Sequence, residues 1–399
     1  MGHGGFGIVG GSIAGCAAAL AASRGGADAV TVFERAGGRL ADRGAGLAVH
    51  DDRYAELAEA GYLDEDIPAL RLTRRGWYVR DGGAPMGRRI GWSPFPFRSY
   101  GWGPLWRELR RRLPDSVVLR DGAHVTRVHE DTVVTADGTR DRFDVVVGAD
   151  GHRSLVRAEA FGDVHPTSTG CLVWRGGYPD ERLDRARSQG TWEPDECGYV
   201  VFDGGHVVVY RIPDGSGGRR VNWVLYATPP PDLAHVPELT TPLPAPVHAR
   251  LYDHAAYIAE HLLPPFWGQV LRLAGRAEVI VHPIHDLAAP RFATHRHALA
   301  GDAASVARPH TGAGAVKALQ DCLALERALR ASPDPTRALA AYDADRAPAG
   351  HALVALGRSL GDALVLNTPD WRSMGQAELD AWWSRADTTA TFGGAPGTR

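Results

Sequence analysis

Lysine is all but missing from this chain. Of 44 basic residues only Lys317 is a lysine, and the remainder are arginine. A coding preference for arginine accounts for most of that bias, and it singles out the one ammonium group. Cysteine is almost as scarce. Cys16, Cys171, Cys197 and Cys322 are scattered, with no CxxC pair and no zinc-ligand spacing. That excludes a disulfide framework and a structural zinc site, and it reads as buried thiols of a reduced, cytoplasmic protein. No apolar run reaches the length of a spanning helix. The run from Ile13 to Ala22 has no basic leader, the first arginine being Arg24, and it follows a Gly-rich turn, so it is not read as a targeting segment. No large charge excess exists either: a net charge of -3 gives no reason to expect nucleic acid or an anionic membrane as partner. No internal repeat is visible. What remains is a globular composition, 44% hydrophobic and 23% charged over 399 residues, enough for two or three domains with a sizeable core.

The stretch from Leu299 to Leu323, LAGDAASVARPHTGAGAVKALQDCL, organises the rest. A small apolar run reads as a buried strand ended by Gly301-Asp302. Pro309, Gly312 and Gly314 mark a tight loop, and from about Ala313 an Ala-rich helix begins. A strand, a Gly-rich turn and a helix N-terminus form an anion site. The acidic Asp302 suits a sugar-like hydroxyl rather than a phosphate.

The chain's beginning supplies a matching partner. Phe6–Gly10 is a short apolar strand, followed by Gly11-Ser12-Ile13-Ala14-Gly15 and an Ala/Leu helix to about Ser23; Val30–Phe33 is a second strand ending at Glu34. This is a βαβ unit with the dinucleotide fingerprint, its middle glycine replaced by Ser12, and with the acid for ribose hydroxyls in place. Arg43 to His50 is a further Gly-containing turn running into a strand, and Tyr54 to Tyr62 is helical in pattern. Trp77 to Phe97 reads as strands at a pocket edge. Leu105 to Leu113 is a basic amphipathic helix, and Val117–Arg120, Val125–His129 and Thr132–Thr135 are short strands. Phe143–Val147 leads into a second cofactor-facing loop at Asp150-Gly151, with Ser154 and Arg157 at fixed offsets. From Cys171 to Ala227 four β-rich runs separated by turn residues read as an antiparallel sheet. Thr228 to Pro246 is a Pro-rich loop, Leu251–Leu263 a helix, Val279–His285 a strand and Ala338–Leu366 a closing helix. The tail from Thr388 reads as disordered.

Three stations thus lie in order: GxSxxG with Glu34, the Asp150-Gly151 loop and the Gly301-Asp302 loop. Their combination resembles the group A, para-hydroxybenzoate hydroxylase-like FAD-dependent monooxygenases. GGSIAG at Gly10–Gly15, YRIP at Tyr210–Pro213, RRVNWVLY at Arg219–Tyr226 and GDAASVARPH at Gly301–His310 look most similar to the 2,6-dihydroxypyridine hydroxylase-like branch, over nearly the whole chain to about residue 360. Two positions depart from the common pattern: Ser305 stands where His is usual, and Trp102 stands where an arginine usually opens a helix motif.

The resemblance implies an α/β fold: a Rossmann-like FAD-binding domain, an inserted antiparallel-sheet substrate domain and C-terminal helices. On this chain the division is 1–70, 101–165 and 286–330 for FAD, 71–100 and 166–285 for substrate, 331–385 for the helical region and 386–399 for the tail. It implies FAD, NAD(P)H and O2, and hydroxylation of an electron-rich aromatic or heteroaromatic small molecule through a flavin C4a-hydroperoxide, by a monomer or homodimer. Gly10, Ser12, Ile13, Ala14, Gly15, Glu34 and Arg35 would hold the adenosine half of FAD. Asp150 and Gly151 would serve FAD and nicotinamide cofactor together. Gly301 and Asp302 would meet the ribityl chain, and Pro309, Gly312, Ala313 and Gly314 the ring. His310 is the first candidate to orient substrate or act as acid or base. Tyr210 and His50 are pocket candidates, and Lys317 can add positive charge beside the flavin, the alternative being a surface lysine. Trp174, Trp192 and Trp223 read as core. No Ser/His/Asp order, Cys nucleophile or metal cluster competes. Two alternatives share the scaffold: an FAD-dependent epoxidase or oxidative decarboxylase acting on an indole-like or alkene substrate, and a catalytically inactive flavin-binding protein.

Overall fold

The computed structural model describes residues 3–37, 46–236, 243–387 and 392–394. The Arg43-Gly44-Ala45 part of the second Gly-containing turn, part of the Thr228–Pro246 loop and most of the tail from Thr388 lie outside the described residues. Among the described residues, two sheets carry the site. The first has five strands, all parallel, in the order His297–Leu299, Val145–Gly148, Gly5–Val9, Ala29–Glu34 and Val117–Asp121. The three inner strands are short and rich in Val, Ile and Phe because both faces are covered. Helix Ile13–Arg24 packs against helix Gly314–Ala331 and buries ten consecutive residues from Ile13 to Ala22. The small alanines on both helices allow that close approach. A three-stranded sheet, Val125–His129, Thr132–Thr135 and Arg140–Arg142, flanks this unit.

The second sheet has nine strands and is antiparallel, except that Glu196–Phe202 runs parallel to Ala69–Val79. Its central strands are Thr167–Pro179, Arg219–Ala227 and Gly205–Pro213. Gly46–His50, which follows the first βα unit in the chain, pairs here at the outer edge with Arg88–Gly101. Side chains alternate faces along each strand. Leu172, Trp174, Val207, Val209, Trp223 and Leu225 point one way, onto helices Ala245–His261 and Pro265–Arg272. Cys171, Val173, Tyr199, Tyr210, Val224 and Tyr226 point the other way, toward the long C-terminal helix. Trp174, Trp192 and Trp223 are therefore core, as expected of them.

Several boundaries differ from the sequence reading. The basic helix spans Trp102–Arg111, so it starts earlier and Trp102 opens it. Pro264-Pro265 does end one helix, and it also starts another, since proline suits a first helical turn. The closing helix is Pro335–Gly361, continued by a π-helical turn over Asp362–Leu366, and it carries Pro348 inside. Within the tail, Phe392 is ordered against Phe97 and Trp383. No helix among the described residues is long and apolar enough to cross a membrane.

Candidate active site

Three loops meet where adjacent parallel strands end. Gly5–Val9 runs into the Gly10–Gly15 turn, Val145–Gly148 into Asp150-Gly151, and His297–Leu299 into Gly301-Asp302. Carboxyl ends of parallel strands are where α/β folds place their ligands. At Gly10, with φ of 102°, a β-carbon would lie 2.3 Å from the Ala149 carbonyl oxygen; at Gly15 it would lie 1.8 Å from that of Gly10. Only glycine lets these segments touch. Ser12 makes no side-chain cap on helix Ile13–Arg24, so the first-turn amides of Ile13 and Ala14 keep no side-chain partner and, with the helix dipole, offer an anion cradle.

Glu34 is buried beside that turn. Its Oε2 accepts from the Gly11 N–H and its Oε1 from the Ala36 N–H, both at 2.7 Å. Each oxygen keeps a lone pair for a ribose hydroxyl. The Trp106 indole N–H donates to the Gly11 carbonyl at 2.8 Å, so the Trp102–Arg111 helix holds the fingerprint turn from outside. Trp102 stacks on Trp106. Arg35 follows Glu34 and is exposed.

In the second loop, Asp150 Oδ2 accepts from the Leu155 N–H at 2.7 Å, while Oδ1 is buried without a protein partner. Burial pushes the Asp150 carboxyl above the usual carboxylate range. Arg157 is buried and does not line the cavity. Its guanidinium donates to the carbonyls of His152 and Ala303 at 2.6 and 2.9 Å and so ties the second loop to the third. In the third, Gly301 is wedged between Ala14 and Ala318, and Asp302 is exposed at the cavity. Ser305 is fully buried, its hydroxyl without a partner, close to Gly350. Gly312 adopts a left-handed conformation, φ 64°, that turns the chain into helix Gly314–Ala331. Ala313 offers no side-chain cap, and a β-carbon at Gly314 would meet nothing within 4 Å. Free amides at two helix starts, a pinned Glu34, an orphaned Asp150 oxygen and an open glycine cradle together form a donor set that fits FAD.

Beside these loops lies a cavity of about 670 Å³. Asp302, Pro309, His310, Gly312 and Gly314 line one side, and Tyr199, Tyr210 and Tyr226 of the nine-stranded sheet line another. His310 is buried and neither ring nitrogen has a partner. Its ring lies 4.3 Å from that of Tyr226 and 5.4 Å from that of His206. Burial, aided by His206 and Arg308, holds His310 well below the usual histidine value, so it is neutral. Burial pushes His206 down to about 3 and Tyr226 up to about 12.

Two sequence candidates leave the site. His50 does not line the cavity; its Nδ1 accepts from the Asp52 N–H, capping helix Asp51–Glu59, and its ring packs on Phe97. Lys317 is neither at the surface nor in the cavity. It is 2% exposed, donating to the Gly301 carbonyl at 2.6 Å and to Asp321 at 3.4 Å. One turn into a helix, its side chain points back along the axis, and the nearest acceptor is the loop beneath the cavity. Tyr210 and His310 do line the cavity. Arg175, His206 and Tyr226 were not singled out. The β-pattern around them was visible, but which face each presents depends on register.

Fold and site together are those of a flavin-dependent oxidoreductase, with a cavity between two sheets. No protein-family model matches the chain. It is 30% identical over 369 residues to 2,6-dihydroxypyridine 3-monooxygenase of Paenarthrobacter nicotinovorans, covering 86% of this chain and 87% of that one. It is 31% identical over 362 residues to 3-amino-4-hydroxybenzoate 2-monooxygenase PtmB3 of Streptomyces platensis, covering 86% and 83%. The solved structure of 2,6-dihydroxypyridine-3-hydroxylase from Arthrobacter nicotinovorans superposes with a TM-score of 0.77 at 26% identity, over 94% of this chain and 97% of that one. Klebsiella pneumoniae HpxO complexed with FAD and uric acid shares the fold, with a TM-score of 0.76 at 22% identity over 97% and 93%. The chain belongs to the para-hydroxybenzoate hydroxylase-like FAD-dependent monooxygenases, in the dihydroxypyridine hydroxylase branch. It is an enzyme of the aromatic-hydroxylase type. The epoxidase, decarboxylase and inactive-protein alternatives are not favoured by these relatives.

Proposed function

We propose that the chain uses FAD, NAD(P)H and O2 to hydroxylate an electron-rich aromatic or heteroaromatic small molecule bound in the 670 Å³ cavity. The observation that carries this is the cavity's position: its lining contains Asp302, Pro309, His310, Gly312 and Gly314 on one side and sheet aromatics on the other. In this reading the five-stranded unit (1–70, 101–165 and 286–330) holds FAD. The nine-stranded unit (71–100 and 166–285) holds substrate, and 331–385 backs it. Gly10, Ser12, Ile13, Ala14 and Gly15 take the pyrophosphate and Glu34, with Arg35, the ribose. Asp150 and Gly151 serve both cofactors, Gly301 and Asp302 face the ribityl chain, and Pro309, Gly312, Ala313 and Gly314 face the ring.

FAD supplies the electrons and the activated oxygen, and NAD(P)H restores the electrons. The chain's own part is to bind, orient and exclude water. The N-terminus of helix Gly314–Ala331 stabilises negative charge at the ring's edge, by about 1 kcal/mol. Neutral His310 can accept a hydrogen bond from a ring hydroxyl at one nitrogen and donate one from the other, since both nitrogens are free. Tyr210 and Tyr226 supply hydroxyls that fix the ring's orientation. Four buried, unbridged thiols suit the cytoplasm.

Purification tests the reading. A yellow protein is expected, with NAD(P)H oxidation accelerated by an aromatic compound and with 18O from labelled O2 entering the product. A colourless protein that takes up no added FAD would overturn it. Asp302→Ala should weaken FAD retention, whereas His310→Ala should lower turnover more than flavin binding.

A further inference from the structure

The end of the chain returns to the cavity. Phe392 lines it together with Phe95 and Phe97, and a β-carbon placed on Gly312 would come within 3.9 Å of the Phe392 ring. That ring packs edge-on against Phe97 at 5.7 Å and Trp383 at 5.3 Å. Beside it is Arg75, buried on strand Ala69–Val79. The Arg75 Nε donates to Ser93 Oγ at 3.2 Å, and its Nη1 has no hydrogen-bond partner among the described residues. Rings enclose it instead: its Cζ lies 3.9 Å from the centre of the Trp383 ring, 5.1 Å from that of Tyr199 and 5.5 Å from that of Phe392. A buried guanidinium attracts aromatic rings, and here it gathers the last helix and the chain end around Tyr199, another cavity residue.

The main chain is fixed as closely. The Gly393 N–H donates to the Thr311 carbonyl at 2.9 Å, in the loop before helix Gly314–Ala331. Gly393 and Gly394 are buried, with φ of 81° and 123°, conformations that favour glycine. A β-carbon on Gly393 would lie 2.9 Å from the Phe97 ring, and one on Gly394 would lie 2.8 Å from Val316. A chain end that merely frayed would need neither the conformation nor the fit. We infer that Phe392 is a specificity-determining residue: its ring is a wall of the substrate cavity and limits the length of the ring system that fits. An overlong substrate must displace the phenyl ring from Phe97, Trp383 and Arg75, whereas alanine at this position leaves space that a second fused ring can fill. This deepens the proposed function and rests on its placement of substrate in that cavity.

Calorimetric titration of the full-length protein tests it, with matched probes that differ by one fused ring: 3-hydroxypyridine with 3-hydroxyquinoline, and salicylate with 3-hydroxy-2-naphthoate. In at least one pair, Phe392→Ala should improve binding of the two-ring probe relative to its one-ring partner by about tenfold or more, the scale of shape discrimination in an apolar pocket. Gly393→Val, which keeps the ring and unseats the main chain, should gain in the same pair. Phe392→Tyr, which keeps the wall, should not. Chymotrypsin reads the seat itself: the native protein should release Gly393–Arg399 far more slowly than the denatured chain does. No gain by either variant in any pair, whether or not the probes bind, overturns the inference, as does release from the native protein at the denatured rate. Flavin content and ring-stimulated NAD(P)H oxidation, measured on the same samples, separate the two readings. A flavin-free protein in which Phe392→Ala gains the two-ring probe fails only the function. A yellow, ring-stimulated enzyme whose size preference Phe392→Ala leaves unchanged fails only the inference.

Discussion

Replacing Asp321 should cost more stability than replacing any other residue beneath the cofactor loop, and the cost should be non-additive with Lys317. Asp321 is wholly buried. Its Oδ2 accepts from the Gly301 N–H at 3.0 Å and from Lys317 at 3.4 Å, and its Oδ1 from Arg346 at 3.0 Å. Lys317 also donates to the Gly301 carbonyl at 2.6 Å, so one glycine has its N–H and its C=O clamped by the same ion pair. Asp321→Asn keeps the shape but leaves two buried cations without a counter-charge, a loss of about 3–5 kcal/mol. Lys317→Met leaves Asp321 and Arg346 paired and removes one donor from a buried carbonyl, costing about 1–3 kcal/mol. In the double variant only Arg346 is uncompensated and the cation–cation repulsion is gone. Its loss should fall short of the sum of the singles by about 1–3 kcal/mol. Urea unfolding of the apoprotein, compared at equal m, measures all three terms. Additivity within about 0.5 kcal/mol would refute the clamp.

Other expectations can be checked alongside. Gly314→Ala meets no atom within 4 Å, so the apoprotein should melt no lower, while FAD titration should show weaker binding because the methyl fills the cradle. With Lys317 buried, an amine-acylating reagent should label only the amino terminus of the folded chain, and mass spectrometry should find a second label after denaturation; rapid double labelling of native protein contradicts the burial. His206 has a folded value of about 3, below its unfolded 6.5. The unfolded chain therefore binds more protons between those values, and stability falls as pH drops through that window. Its share is about 2 kcal/mol between pH 7 and pH 5. His206→Phe, which keeps the stack between Tyr199 and Tyr226, should flatten that part of the acid slope; an unchanged slope would show that His206 is not the titrating group.

The parts of this molecule legible in the sequence are those whose chemistry is local. Gly10, Gly15 and Glu34 sit at fixed offsets because a strand, a tight turn and a helix must follow one another there, and the structure brings them to one turn. The same holds for Gly301, Asp302 and Gly312. Lys317 and His50 lie outside the cavity lining for a shared reason. Each lies within a few residues of a recognisable motif, yet what its side chain does is decided by the nearest unsatisfied group: the Gly301 carbonyl for one, the Asp52 amide for the other. Arg175 could not be singled out at all. Its strand neighbours Val224 and Ile280 lie 49 and 105 residues away in sequence, and only the register Arg175↔Val224 and Arg175↔Ile280 shows that it faces the cavity while Trp174 does not.

That contrast has a consequence for how the two halves can change. The cofactor loops are over-determined: a β-carbon at Gly10 or Gly15 collides with main chain, and Gly301 is held at both its polar groups. The cavity face of the nine-stranded sheet is set by alternate side chains on a backbone that is hydrogen-bonded whatever those side chains are. Substitutions at Arg175, Tyr210 or Tyr226 therefore leave the ladder intact while changing the charge and shape of the cavity. The loops at the ends of the parallel strands have no such freedom. On the proposed function, a fold arranged in this way would keep its redox chemistry constant while the recognised ring changes, and the sheet face would be where the substrate is read.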